Sequence, residues 1–115
     1  MEERRKALRY NVTGRAQFQL ANAPRASLVR VVDICESGMC FLSDDPAPVK
    51  SKGRLVFKLL GDSQFFEAAP IVQVITSILE RRMYRVGTNF VDVDPETRKV
   101  LDALIEARAR VVQGH

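Results

Sequence analysis

From Tyr10 to Leu20 the chain alternates almost without fault, with Tyr10, Val12, Ala16, Phe18 and Leu20 on one side and Asn11, Thr13, Arg15, Gln17 and Gln19 on the other. A period of two is the mark of a half-buried strand, because successive side chains leave a pleated backbone on opposite faces. The same kind of pattern returns five times. Ser27 to Cys35 is rich in β-branched residues, and Glu36-Ser37-Gly38 turns the chain into a short run from Met39 to Leu42. After a loop punctuated by Pro46, Pro48 and Gly53, strands are expected at Arg54 to Leu60, at Phe65 to Leu79 and at Arg82 to Val91. Pro70 falls inside the fifth run and cannot donate to a ladder, so a bulge or an edge position is expected there. Gly87 marks a kink or a close approach in the sixth.

At Asp94-Pro95-Glu96 the period changes to 3.6, with a capping carboxylate and a proline at the first helical position. Val100, Leu101, Leu104, Ile105, Val111 and Val112 then form one apolar stripe, and the helix is expected to stop near Gly114. The fold class that follows is mainly all-β: a small six-stranded antiparallel β-barrel closed by a C-terminal α-helix. A chain of 115 residues suits a single domain 1–115, divided into a flexible arm at 1–9, a barrel at 10–91 and a helix at 95–113. No apolar run approaches the roughly 18 residues needed to span a bilayer, and the N-terminus lacks the apolar stretch of a signal peptide. A cytoplasmic protein without membrane insertion is expected.

The net charge of +4 is unevenly spread: residues 4 to 30 carry seven basic side chains and no acidic one. Such a block favours an anionic partner, although a solvated face has the same composition. Enzymatic chemistry finds little support. There is no Gly-x-Ser-x-Gly elbow, P-loop or Rossmann fingerprint, and the sole histidine is His115. Cys35 and Cys40 with that histidine cannot furnish the three or four ligands of a zinc site, so neither metal nor cofactor is expected. Five residues apart across a turn, the two cysteines could bridge, but are better understood as small buried side chains. Nucleic acid is disfavoured as a partner, because the strand around Arg85 to Phe90 lacks the interleaved aromatics that stack bases.

Two short motifs carry the remaining signal. Arg5 and Arg9 form an Arg-x-x-x-Arg pair just before the first strand, and Asp33-Ile34-Cys35-Glu36-Ser37-Gly38 lies at the turn between the second and third. Guanidinium groups can engage phosphate or the O6/N7 edge of guanine in bidentate fashion. A carboxylate can accept from guanine's N1 and N2 donors, and a glycine lets backbone approach a ligand closely. Asp33 could equally cap the turn, and Gly38 could serve a positive φ.

In this order, with Tyr84 to Val91 and the helix opened by Asp94-Pro95, the chain resembles a PilZ domain over essentially its whole length. PilZ domains are bacterial receptors for cyclic di-GMP, with Arg-x-x-x-Arg and Asp/Asn-x-Ser-x-x-Gly as their signature. The resemblance implies that Arg5 and Arg9 hold guanine and phosphate from the arm, while Asp33, Cys35 and Gly38 supply the barrel side. Cys35 stands where the family has serine, which weakens that contact, and Ser37, two positions on, is not expected to replace it. Arg4, immediately before the arginine pair, implies two stacked ligands per protomer. A downstream protein partner is expected to recognise the ordered arm. The competing expectation is a PilZ-like module of motility or secretion machinery that does not bind the nucleotide.

Overall fold

The computed structural model describes residues 8–113. Seven strands precede one helix: β1 Tyr10–Leu20, β2 Ser27–Ile34, β3 Met39–Ser43, β4 Lys52–Leu60, β5 Phe65–Ala68, β6 Ile71–Glu80, β7 Met83–Val91 and α1 Pro95–Gln113. All pairings are antiparallel. The order β1-β2-β3-β7-β6-β4 closes on itself because β1 also pairs with β4, and β5 adds to the β4 edge that β6 leaves free. The result is the expected six-stranded barrel with one extra strand, and closure removes the exposed edges of an open sheet.

The extra strand comes from Pro70. The run expected as one fifth strand is two, separated by Ala69-Pro70, and both lie along β4: Phe57 faces Ala68 while Arg54 faces Ile71. Proline has no N–H for the ladder, but its carbonyl still accepts from Leu55 N at 3.0 Å, so β4 keeps its bond where the neighbour breaks. β4 begins at Lys52 and β3 reaches Ser43, slightly longer than the sequence pattern suggests.

Alternation delivers Val12, Ala16 and Phe18 from β1, Val31 and Ile34 from β2, Phe41 from β3, Leu55, Phe57 and Leu59 from β4, and Val72, Val74 and Val86 from β6 and β7 to one core. Phe18 and Phe41 meet at its centre with ring centroids 5.0 Å apart. Asp94 caps α1 by accepting from Thr97 N at 2.8 Å and from the Thr97 hydroxyl at 3.2 Å. These bonds hold its carboxyl below the usual carboxylate range.

Leu101 and Leu104 are fully buried, each contributing about 1.5–3 kcal/mol of burial. The expected stripe fails towards the C-terminus, where Ala107 is buried and Val111 is exposed. The helix is drawn tightly onto β1 and the β4–β5 turn, where Arg108 donates to Asn11 O and to Gly61 O respectively, both at 2.8 Å, and only a small side chain fits against Gly61. The side chain of Val112 and the expected stop at Gly114 lie outside the described residues. No helix among the described residues is long and apolar enough to cross a membrane.

Candidate functional site

A β-bulge decides where Asp33 points. Val29 and Val31 face the core, and strict alternation would send Asp33 after them; instead the β2–β3 register shifts between Val31 and Asp33, and Ile34 takes the inward place. One extra residue thus turns a carboxylate outward that would otherwise be buried in the barrel. A second shift, between Val74 and Thr76 in β6, does the same for Thr76. Asn11, Asp33, Cys40, Gly87 and Thr76 then succeed one another across five strands in a single row.

From Asp33 to Thr76 that row lines a cleft of about 220 Å³ on the outer face of the barrel, lined also by Arg9, Cys35, Ser37, Gly38 and Arg85, with the exposed Ile75 and Ile78 as its apolar wall. The halves of the two motifs meet at its mouth. Arg9 Nη1 stands 3.7 Å from Asp33 Oδ1, with the arginine side chain 65% exposed and the aspartate 15%. Burial pushes the Asp33 carboxyl above its ordinary value of 3.8, and the positive charges of Arg9 and Arg85 pull it back down. Arg4 and Arg5 lie outside the described residues.

Gly38 has a different reason to be glycine from a positive φ, which no glycine among the described residues adopts. A β-carbon there would come within 1.7 Å of the Thr88 carbonyl oxygen, so the turn can lie against β7 only without a side chain. Thr88, itself buried, completes this junction by donating its hydroxyl to Met39 O at 2.8 Å. Gly87 opens the cleft floor, since a β-carbon would sit 2.6 Å from Thr76 Oγ1.

Cys35 is 9% exposed, its Sγ 3.3 Å from the Ser37 hydroxyl. Both residues line the cleft, so the two-residue offset moves Ser37 along the cleft and leaves it beside Cys35. The chain between them is an irregular turn, in which Cys35 N donates to Gly38 O at 2.9 Å, and the strand-like spacing that would separate them does not apply. Cys35 and Cys40 are free thiols. Cys40 faces Asp33 in register, with Cys35 two residues further on, at the start of the turn.

Arg85 is the site residue that sequence reasoning missed. It stands between Leu42 and Ile78 on the outer face, donates to Glu80 Oε1 at 3.2 Å, and reaches Cys40 Sγ at 3.5 Å. Burial and the negative charge of Asp33 raise the Cys40 pKa, with Arg85 and Arg9 opposing, so this sulfur stays a thiol at neutral pH. The available signal for Arg85 was its alternation with Gly87 and Asn89 on β7, which sends all three away from the core side of Val86 and Thr88.

The cleft can therefore present guanidinium forks, a carboxylate, hydroxyl and thiol groups and an apolar wall to one anionic, hydrogen-bonding ligand. Among solved structures, the PilZ domain of YcgR from Escherichia coli with c-di-GMP is similar at 17% identity and a TM-score of 0.68, covering 97% of this chain and 96% of that one. The Bacillus subtilis inhibitor of motility MotI/DgrA has a TM-score of 0.75 at 12% identity, covering 95% of this chain. YcgR of E. coli in complex with c-di-GMP has a TM-score of 0.72 at 17% identity, covering 97%. The chain spans about half the length of these last two, 53% and 49% respectively. No curated protein matches the chain. The PilZ domain model matches residues 3–107, a span that takes in both motifs, the barrel and most of α1, and the chain belongs to the PilZ domain family.

Proposed function

We propose that the chain is a non-catalytic receptor that binds cyclic di-GMP in the cleft around Asp33 and relays its presence by ordering residues 1–9 across the barrel. One observation carries this reading: Arg9 and Asp33, from motifs 24 residues apart, approach within 3.7 Å at the mouth of a cleft lined by Cys35, Ser37 and Gly38. Guanidinium groups of Arg9 and Arg5 take phosphate and the guanine acceptor edge, and Asp33 takes the donor edge. Arg85 adds a third guanidinium from the barrel side, and Ile75 and Ile78 offer apolar surface to a base. Arg4 serves a second, stacked ligand. Structures of YcgR with c-di-GMP share the fold and lend the reading further support.

A second reading is a docking module for motility or secretion machinery that works without nucleotide. Cys35 in place of the family's serine favours it, as do Ile75, Ile78 and Leu79, which are exposed beside the cleft. Calorimetric titration with cyclic di-GMP, with GTP and cyclic di-AMP as controls, separates the two. Saturation at two equivalents of cyclic di-GMP alone is expected; saturation at one removes the role of Arg4, and no binding removes the receptor reading.

A further inference from the structure

The turn Cys35–Gly38 makes no regular ladder, so its carbonyls depend on donors within the turn or from other elements. Gly38 O accepts from Cys35 N within the turn, and Ser37 O accepts from Phe90 N of β7 at 2.8 Å. Glu36 O accepts from Arg98 Nη1 at 3.1 Å, across 62 residues of sequence. Arg98 belongs to the first turns of α1. Its guanidinium is fixed on three sides: Nε and Nη2 lie 3.0 and 2.9 Å from Asp102 Oδ1, and its central carbon lies 5.6 Å from the Phe90 ring centroid. Nη2 is buried and, although close to Asp102, makes no well-directed hydrogen bond.

An ion pair on a solvated helix face needs none of this. The two middle carbonyls of the turn converge on Arg98 and Phe90, which also touch each other. We propose that Arg98 is a positioning residue for the ligand site: it holds the turn so that Cys35 and Ser37 face the cleft, and couples cleft occupancy to the N-terminal end of α1. The inference rests on the nucleotide reading above. Coupling of this kind is reciprocal, so a ligand that locks the turn also tightens the Arg98 clamp on the helix.

A helix staple with no bearing on the site would look similar in a stability measurement, and Arg108 supplies the comparison. It ties the C-terminal half of α1 to Asn11 O and Gly61 O, neither of which belongs to the Cys35–Gly38 turn or lines the cleft. The test compares Arg98→Leu, Arg98→Lys and Arg108→Leu with the parent chain in cyclic di-GMP calorimetry, thermal melting and amide hydrogen exchange. Arg98→Leu is expected to weaken binding about tenfold, in keeping with loss of a charge-assisted bond that holds the turn. It should also speed exchange at the Cys35 and Phe90 amides. Arg98→Lys keeps the charge without the planar fork and should fall between the two, and it decides the matter if Arg98→Leu does not fold. Arg108→Leu should lower the melting temperature at parental affinity. Parental affinity in both Arg98 variants, or equal weakening in Arg108→Leu, overturns the positioning role and leaves the nucleotide reading intact. A parent chain that does not bind cyclic di-GMP overturns that reading, and this inference with it.

Discussion

Arg9 Nη1 and Asp33 Oδ1 stand 3.7 Å apart, one at the threshold of β1 and the other turned out of β2 by a bulge. The pair is exposed on the arginine side, so it contributes little to folding, since ion pairs at a surface are typically worth about 0–1 kcal/mol. Its value lies in placing a cation beside an acceptor at the cleft mouth.

Arg9→Ala should accordingly abolish measurable cyclic di-GMP binding, with a loss on the order of 2–3 kcal/mol, while leaving the melting temperature nearly unchanged. The same outcome is expected for Arg5→Ala. Calorimetry beside thermal denaturation checks both, and parental affinity in the two variants would show that the arm is not the site.

Asp33 is expected to link binding to pH. Its carboxyl titrates at about its ordinary value of 3.8 in the unfolded chain and above that value when folded, because burial disfavours the charge more than Arg9 and Arg85 favour it. Between those two points the folded chain holds a proton that the unfolded chain lacks, so the stability contributed by Asp33 is present below the window and lost as pH rises through it. Binding is expected to run the other way, because guanine's donor edge needs the ionised acceptor. Affinity should rise with pH as Asp33 ionises above its ordinary value in the parent and stay flat in Asp33→Asn, which keeps one acceptor oxygen. Asp33→Ala should lose discrimination between guanine and adenine. A parental pH profile in Asp33→Asn would remove Asp33 from the site.

Elements with a local cause were legible in the sequence. Tyr10–Leu20 and the helix start at Asp94 follow from periodicity and capping, which depend on neighbours along the chain. Pro70 announced a disturbance, but whether it bulges a strand or splits one depends on β4, which accommodates both pieces. The bulge at Val32 was hidden because the pattern Val29, Val31, Val32, Ile34 permits more than one register. Arg85 and Arg98 act across 45 and 62 residues respectively, and no spacing rule connects them to Cys40 or Glu36. Ala107 carries too small an apolar signal to be chosen over Val111.

The junction between β3 and β7 should be sensitive in a graded way. Thr88→Val keeps the shape but leaves Met39 O without its donor, costing about 1–3 kcal/mol in urea denaturation. Gly38→Ala should cost more, because the added carbon meets the Thr88 carbonyl, which is backbone and cannot rotate aside. A neutral Gly38→Ala would mean that the turn can lift from β7 freely.

The substitution of the family's serine by Cys35 gives the sharpest test of how the barrel side of the site works. Cys35 is nearly buried, and its sulfur shares the cleft wall with the Ser37 hydroxyl at 3.3 Å. A hydroxyl makes a stronger bond than a thiol, so Cys35→Ser should bind cyclic di-GMP more tightly than the parent, by about 1 kcal/mol. Stability should move the opposite way, since cysteine packs as a small hydrophobe and a hydroxyl placed there loses burial energy. Ser37→Ala separates the contributions: if Ser37 already compensates for the thiol, its loss weakens binding in the parent and matters less in Cys35→Ser. Such non-additivity is the signature of two groups serving one ligand, and a double-mutant cycle under reducing conditions measures it directly. Fully additive effects would mean that the two side chains act apart, and weaker binding by Cys35→Ser would mean that Cys35 only packs behind the cleft.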